Sequence, residues 1–331
     1  MKAFANKSPT TLDEAVVLLQ ASQARGEIAY PAGGGSDLLG MIKDELVPPP
    51  DVVVDLKRVK GHDEIRASRR GGVEIGGLAT VDAVSRDATI VKRYPVLAQA
   101  AGAVGTPQIR NTGTIAGNVC QRPWCWYFRQ GFPCLKRGGD RCYSVVGENQ
   151  QHSIFGAGPS FFVHPSDTAV AFVALDAELH VQGPGGARSV RAGEFFVPPR
   201  VDLKRENVLE PGELLVGMTL PSEHANRRGT YTKIMDREAW THAVVSCALT
   251  LDMSGKLCRD ARLVLGGVAP IPWRLPAVED LVRGKTIDEA LAARAGDAAT
   301  QGAQPLAKNG YKVTMVRALV RRTLLELAGN A

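Results

Sequence analysis

The stretch Ala32-Gly33-Gly34-Gly35-Ser36-Asp37-Leu38 governs the interpretation of this 331-residue sequence. An extended run at 28–30 precedes it, and apolar spacing from Leu38 onward predicts a helix after it. Three glycines between a strand and a helix allow positive φ and let backbone N–H groups converge on an anion. A tight turn capped by Ser36 or Asp37 is the alternative. The Rossmann fingerprint is not met, because Leu38 stands where its third glycine belongs.

Helical and extended patterns alternate outward from this loop. The capping box at 11–14 predicts the start of an N-terminal helix, and Gly26 predicts its end. The region 81–105 is predicted to be helical, with short strands at 52–54 and 73–78 before it. Later strands are predicted at Ala169 to Leu175, Leu214 to Leu220, Val244 to Leu251 and Ala261 to Val268, and a closing helix at Val313 to Leu327. This alternation indicates α/β or α+β packing.

A second segment rich in small hydrogen-bonding residues, predicted as a loop, runs from Gly105 to Asn118. Alone it could be a surface loop, but two such loops beside short strands favour a shared dinucleotide site. The motif at 164–167, His-Pro-Ser-Asp, could direct a carboxylate at a ribose or ring edge, or could cap a helix. In the segment 231–237, Lys233 or Arg237 could approach a cofactor ring or phosphate, although a solvated charged strand is the commoner case.

Four of the six cysteines fall within 23 residues, with the spacing C-x4-C-x8-C-x7-C. They are Cys120, Cys125, Cys134 and Cys142. Structural zinc sites usually carry a C-x2-C pair, which is missing, whereas iron–sulfur clusters accept more varied spacing of four thiolates. Five Lys and Arg against one Asp in this segment would offset a negatively charged cluster, and its aromatic residues could exclude water. The alternative is a reduced-thiol surface insertion with affinity for nucleic acid.

Composition excludes several classes of protein. Hydrophobic residues make up 44% and charged residues 22%, which is typical of a globular chain and not of a disordered one. The formal charge is +6, but Lys and Arg are spread along the chain, so a nucleic-acid partner is only weakly indicated. No apolar run is long enough for a membrane span, and no signal peptide is expected at 1–13. We therefore expect a cytoplasmic location, with export on a partner's signal left open.

Together these pieces resemble the flavin-binding subunit of the molybdenum hydroxylases, the group of xanthine dehydrogenase, aldehyde oxidase and carbon monoxide dehydrogenase. The resemblance covers nearly the whole chain and rests on Ala32 to Leu38, Ile109 to Asn118, His164 to Asp167, Tyr231 to Arg237 and Leu265 to Ala269. It implies an α+β fold with a two-lobed, PCMH-type FAD-binding domain and a smaller α+β C-terminal domain. The implied ranges are 1–222, with lobes at about 1–60 and 61–222, and 229–331.

The same resemblance implies which residues hold FAD. The first loop would hold the pyrophosphate and the second loop would support the same cofactor. Asp167 would bind the adenosine portion or the ribityl chain, and Lys233 would lie near the flavin. The full set is Ala32, Gly33, Gly34, Gly35, Ser36, Asp37, Leu38, Ile109, Thr114, Gly117, Asn118, Asp167 and Lys233.

The insertion at about 120–155 resembles a sub-branch whose flavin subunit carries an extra [4Fe–4S] cluster, as in certain bacterial aldehyde oxidoreductases and 4-hydroxybenzoyl-CoA reductase. Three ligand positions match at Cys125, Cys134 and Cys142. Relatives often place the fourth ligand just before the His-Pro-Ser-Asp motif, where this chain has Ser160. Cys120 could replace it, and His152 is a second option.

The resemblance implies an electron-transfer subunit. Substrate would be oxidised on a large molybdenum-cofactor subunit, and electrons would pass through a small [2Fe–2S] subunit to FAD here and then to an external acceptor. No catalytic acid or base is expected on this chain. One alternative is a basic nucleic-acid-binding protein that uses the cysteine segment, with structural glycine loops. Another is a stand-alone FAD oxidase with its own substrate pocket.

Overall fold

The computed structural model describes residues 2–239 and 241–329, and its first lobe is a small parallel sheet with two helices. The elements are β1 (Ala5–Lys7), α1 (Leu12–Ala24), β2 (Ala29–Ala32), α2 (Leu38–Lys43) and β3 (Val52–Asp55). The strand order is β1-β3-β2, and β3 pairs in parallel with both neighbours. The predicted cap of α1 is confirmed, since the Thr11 hydroxyl accepts a bond from the Glu14 amide at 3.2 Å.

The second lobe is an antiparallel five-stranded sheet of order β4-β5-β8-β6-β7, covered by helices. Its strands are β4 (Ile65–Ala67), β5 (Val73–Gly76), β6 (Glu178–Gly183), β7 (Gly186–Arg191) and β8 (Leu214–Leu220). Its helices are α3 (Val81–Arg86), α4 (Ala88–Arg93), α5 (Pro95–Gly102), α6 (Pro107–Thr112), α7 (Ile115–Val119), α8 (Trp126–Arg129), α9 (Asp167–Ala174) and α10 (Ala192–Phe195).

Two predictions about this lobe are wrong. The run Ala169 to Leu175 is not a strand; it belongs to α9, whose residues are all buried. A short apolar run that is buried on every side has no amphipathic period, so its sequence does not separate a helix from a buried strand. The predicted loop at 105–118 contains α6 and α7, which begin after the capping hydroxyls of Thr106 and Thr114.

The C-terminal domain is an antiparallel sheet packed against three helices. Its strands are β9 (Arg228–Ile234), β10 (Val245–Ser254), β11 (Leu257–Gly266), β12 (Trp273–Arg274) and β13 (Lys285–Thr286). Its helices are α11 (Pro276–Val282), α12 (Glu289–Ala298) and α13 (Tyr311–Ala328). The order β12-β11-β10-β9 has β13 beside β11, and the two remaining cysteines, Cys247 and Cys258, are fully buried in this domain.

The C-terminal domain is joined to the second lobe through side chains on two surfaces. The Gln99 side chain on α5 accepts a bond from the Tyr231 amide on β9 at 2.8 Å. Ile154 and Phe155, just after the cysteine segment, belong to the apolar core of the C-terminal domain. Within the described ranges, no helix has the length and apolar character needed to cross a bilayer.

Candidate cofactor site

The first glycine loop and the second small-residue segment touch each other between the two lobes. A Cβ on Gly33 would lie 2.6 Å from the Thr114 Oγ1 atom, and one on Gly34 would lie 1.9 Å from the Thr112 carbonyl oxygen. Gly35 also has φ +72°, in the region that favours glycine. The glycines are therefore needed for the close approach of the two segments.

Two clefts open on either side of this contact. One, of about 280 Å³, lies between the loops, and the other, of about 540 Å³, shares Gly33 and Thr114 with it. The first cleft is lined by most of the predicted cofactor residues: Ala32, Gly33, Gly34, Gly35, Ser36, Asp37, Leu38, Ile109, Thr114, Gly117 and Asn118. Asp167 and Lys233 do not line it. Together the two clefts form a groove across the glycine loop, which suits an elongated ligand.

The glycine loop offers free hydrogen-bond donors to this groove. Among the described residues, the backbone N–H groups of Gly34, Gly35 and Ser36 donate to no protein acceptor. Backbone amides of folded chains are almost always paired with protein or water, and consecutive free amides form an anion-binding concavity. This arrangement fits the pyrophosphate of FAD.

The Asp37 carboxylate is used within the protein. Its Oδ2 atom accepts a bond from the Arg122 amide at 3.1 Å, and its Oδ1 atom pairs with the Arg129 guanidinium at 2.9 Å. Asp37 thus ties the glycine loop to the cysteine segment. Sequence reasoning did not find this pair, because the partners lie 92 residues apart.

Asn118 forms part of one wall of the first cleft, and its side chain connects two helices there. Its Oδ1 atom accepts bonds from the hydroxyls of Ser166 at 2.7 Å and Thr168 at 2.6 Å. Ser166 also caps α9, so the helix-cap interpretation of the motif at 164–167 describes its local structure. The start of α9 is thereby held against the end of α7.

Asp167 and Lys233 form a buried ion pair behind this wall. The Lys233 Nζ atom lies 2.7 Å from Asp167 Oδ2, and the Tyr231 hydroxyl donates to Asp167 Oδ1 at 2.5 Å. Burial raises the pKa of the Asp167 carboxyl, while the Lys233 charge and the two hydrogen bonds act in the opposite direction. The pair links α9 to β9 across the two domains.

A half-buried histidine next to this region was not found from the sequence. Burial and the charges of Lys233 and Arg129 lower the pKa of His242 to about 4, so its imidazole is neutral at neutral pH. Its ring lies 4.4 Å from that of Trp124, between centroids. No spacing signal distinguished His242 from other histidines. Arg237 is the other cation considered in the segment 231–237, and it lies after the end of β9.

The cysteine segment separates its four thiols into two groups. Cys125 and Cys134 are buried in one apolar cluster with Phe128 and Phe162. Cys142 belongs with this group, since its charge and that of Cys134 both contribute to the raised pKa of Cys125, about 12, for which burial is the main cause. Cys120 instead lines the first cleft and packs against the core of the second lobe.

Two of the three grouped thiols contact polar side chains. The Cys125 sulfur lies 3.2 Å from His152 Nε2, and the Cys142 sulfur lies 3.0 Å from the Ser144 hydroxyl. Over the described part of the chain, no group of three or more His, Cys, Asp and Glu side chains is placed to hold one metal ion. A cluster with four thiolate ligands would need a fourth donor that this arrangement does not bring to the three cysteines.

The basic residues of the segment are largely used inside the protein. Arg129 pairs with Asp37, while Arg122 and Lys136 both pair with Glu206, at 3.1 and 2.6 Å. A nucleic-acid surface would present these cations to phosphate, so their internal pairing argues against that alternative.

Open amides between two clefts, held by a two-lobed α+β domain, define a protein that binds a dinucleotide cofactor. Residues 2–223 match the family described as FAD binding domain in molybdopterin dehydrogenase, and residues 230–327 match CO dehydrogenase flavoprotein C-terminal domain. The chain therefore belongs to the molybdopterin-dehydrogenase FAD-binding family. The resemblance to the flavin-binding subunit of the molybdenum hydroxylases and the expected α+β fold class are both confirmed. The resemblance to the sub-branch with an extra [4Fe–4S] cluster stays a prediction.

Curated relatives and solved structures extend over the whole chain. The aldehyde oxidoreductase FAD-binding subunit PaoB of Escherichia coli is 33% identical, covering 100% of both chains. The carbon monoxide dehydrogenase medium chain of Hydrogenophaga pseudoflava is 27% identical, covering 97% of this chain and 96% of that one. The solved quinoline 2-oxidoreductase from Pseudomonas putida 86 aligns with a TM-score of 0.76 and 25% identity, over 100% of this chain and 99% of that one.

Proposed function

We propose that this chain is the FAD-carrying electron-transfer subunit of a molybdenum-dependent hydroxylase or aldehyde oxidoreductase complex. Support comes from full-length relatives named as an aldehyde oxidoreductase FAD-binding subunit and a carbon monoxide dehydrogenase medium chain. The proposed partners are a large molybdenum-cofactor subunit, a small [2Fe–2S] subunit and an external electron acceptor, and the proposed location is the cytoplasm. When bound, FAD supplies a centre that takes up and gives out electrons singly or in pairs.

The proposal depends mainly on the free amides of the glycine loop. Gly34, Gly35 and Ser36 would donate to the pyrophosphate, and the clefts on either side would take the two ends of FAD. Asp167 and Lys233 would orient the cofactor from behind the Asn118 wall. The proposed domains, 1–222 and 229–331, place the loops in the first and Lys233 in the second.

Flavin retention by matched glycine variants tests this function. In Gly34→Ala the new Cβ would meet the Thr112 carbonyl oxygen, so the two segments must separate and the donors no longer converge. We expect the affinity for FAD to weaken at least tenfold, which corresponds to about 1.4 kcal/mol of binding free energy, and the flavin content of the purified complex to fall as a result. Gly40→Ala is the control, since a Cβ there meets nothing within 4 Å.

The flavin-to-protein ratio from visible absorbance and the midpoint of thermal unfolding are measured together. Gly34→Ala protein that is folded and retains flavin like Gly40→Ala would contradict the assignment of the glycine loop. A folded wild-type complex that contains no flavin would reject the function itself.

We also propose that Cys125, Cys134 and Cys142 hold an iron–sulfur cluster of the [4Fe–4S] type. Support comes from the burial of Cys125 and Cys134 in one aromatic cluster and from the proximity of Cys142. Cys120, which the sequence offered as a fourth ligand, lies at the FAD cleft, and His152 is in contact with Cys125. The fourth donor stays open between these two residues.

Iron and sulfide analysis of anaerobically purified complex tests the cluster. We expect about four irons per chain, beyond those of the small subunit, and their loss in Cys134→Ser. Cys247→Ser is the matched control, because Cys247 is fully buried in the C-terminal core. Flavin without this extra iron would remove the cluster and leave the FAD function standing.

A further inference from the structure

A second concave site lies next to the cofactor cleft and is distinct from the two clefts assigned to FAD. It is a cleft of about 860 Å³ between the end of α2 with its following loop and the cysteine segment. It shares Val47 and Arg122 with the first cofactor cleft. Its size falls within the range of ordinary small-molecule sites. We call it the basic cleft.

Five cations line the basic cleft against one lining carboxylate, that of Glu45. They are Lys2, Lys43, Arg122, Lys136 and Arg137. Asp51 pairs with Lys2, and Glu206 is shared by Arg122 and Lys136. Five cations against three carboxylates leave a net charge of about +2 for an anionic ligand to neutralise.

Arg137 and Lys43 are the two lining cations that pair with no carboxylate of the described residues. The Arg137 guanidinium donates to the Leu46 carbonyl oxygen at 3.0 Å and to the Glu45 carbonyl oxygen at 3.3 Å. Carbonyl oxygens fix the orientation of the guanidinium without cancelling its charge. Lys43, the last residue of α2, forms no ion pair with any residue that the structure describes.

The floor of the basic cleft is apolar and partly aromatic. Phe128, Ile42 and Leu46 lie there, all buried, and the Arg122 guanidinium carbon lies 5.2 Å from the centre of the Phe128 ring. A guanidinium above an aromatic ring presents a flat surface on which a planar ring can stack. The cleft therefore combines a planar apolar surface with fixed positive charge.

We propose that the basic cleft binds a nucleoside diphosphate beside the FAD site. The base lies against the floor and Arg122, and the two phosphates lie against Arg137 and Lys43. The bidentate geometry of a guanidinium suits a phosphate, and the exposed ammonium of Lys43 adds a point charge. No residue of the glycine loop lines this cleft, and the proposal is that FAD and the nucleotide bind together, on either side of Arg122.

Calorimetric titration of ADP into the flavin-loaded complex tests the proposal, with pyrophosphate and adenosine as separate probes. We expect ADP to bind more tightly than either part and to weaken as salt is raised. Arg137→Ala should weaken ADP binding about tenfold, as expected for a charge-assisted hydrogen bond. Lys43→Ala should weaken ADP binding about threefold. Because this change removes no internal contact, the variant still tests the proposal if Arg137→Ala misfolds.

Arg141→Ala is the control, because Arg141 is an exposed residue of the same segment that pairs with Asp140 and does not line the cleft. The Arg141→Ala variant should bind ADP with the same affinity as the wild type. No ADP binding, equal affinity in Lys43→Ala and Arg141→Ala, or pyrophosphate binding as tightly as ADP would each overturn the proposal. ADP uptake that releases flavin, seen in visible absorbance, would place ADP in the FAD site and overturn it as well.

Discussion

Lys233 and Lys312 are both buried lysines of the C-terminal domain that reach residues outside it, yet they meet different partners. Lys233 faces the Asp167 carboxylate at 2.7 Å and the Ala103 carbonyl oxygen at 2.9 Å. Among the described residues, Lys312, on α13, donates hydrogen bonds to carbonyl oxygens only, those of Gln151 at 3.0 Å and Gly267 at 2.7 Å.

The difference lies in what compensates the buried charge. The Asp167 carboxylate lies against Lys233 and offsets part of the cost of burying the lysine side chain. Carbonyl oxygens accept from Lys312 without cancelling its charge, and burial lowers its pKa to about 7. The first lysine has a carboxylate partner, whereas the pKa of the second lies near neutral pH.

Removing the paired lysine should have the largest effect. Lys233→Met leaves the Asp167 carboxylate buried with only the Tyr231 hydroxyl, and we expect a loss of about 3–5 kcal/mol in the free energy of unfolding. Denaturant unfolding of the full chain measures this value. Flavin content, determined on the same samples, should also fall if the pair orients the cofactor.

The double variant Lys233→Met with Asp167→Asn separates the two causes of that loss. It removes the unpaired charge as well, so it should recover part of the stability. A double variant as unstable as the single one would show that packing, and not the unpaired carboxylate, accounts for the loss.

Lys312, which donates to carbonyl oxygens, should make the free energy of unfolding depend on pH. Between pH 7 and 10.5, the ordinary pKa of lysine, the unfolded chain keeps a proton that folded Lys312 has lost. The unfolded state then binds more protons, so the stability of the wild type rises with pH in this window, by up to about 1.4 kcal/mol per unit. Lys312→Met cannot titrate, and its stability should lack this rise.

The difference between wild type and Lys312→Met across the pH range is the quantity to measure, because other titrating groups cancel in it. The loss of two hydrogen bonds lowers the variant's stability at every pH without changing the slope. Parallel pH profiles would show that Lys312 keeps an ordinary pKa when folded.

Local features were the ones that the sequence could predict. The cap at Thr11 and the strand–glycine loop–helix order around Gly34 depend on residues a few positions apart, so their chemistry is visible in the sequence. The prediction of a strand at 169–175 is wrong because a fully buried run has no periodicity to separate helix from strand.

Long-range pairing could not be predicted in the same way. Asp167 was assigned to the cofactor by family resemblance, and its bond to Lys233 spans 66 residues. The separation of Cys120 from Cys125 was also hidden, since neighbours in sequence can face different cores. The Asp167–Lys233 bond and the separation of the two cysteines both depend on how distant parts of the chain pack together. A local sequence pattern does not predict that packing.

The smallest expected effect comes from a third lysine, Lys308, which lies beside Lys312 in sequence but at the surface. Its side chain is 46% exposed and pairs with Glu148, which is 52% exposed. Lys308→Ala keeps the backbone bond from its amide to Asn149 Oδ1, so it removes little more than a screened surface pair. We expect a change below about 0.5 kcal/mol in unfolding free energy that vanishes at high salt. A loss similar to that of Lys233→Met would mean that burial does not distinguish these lysines, because an exposed pair would then stabilise as much as a buried one.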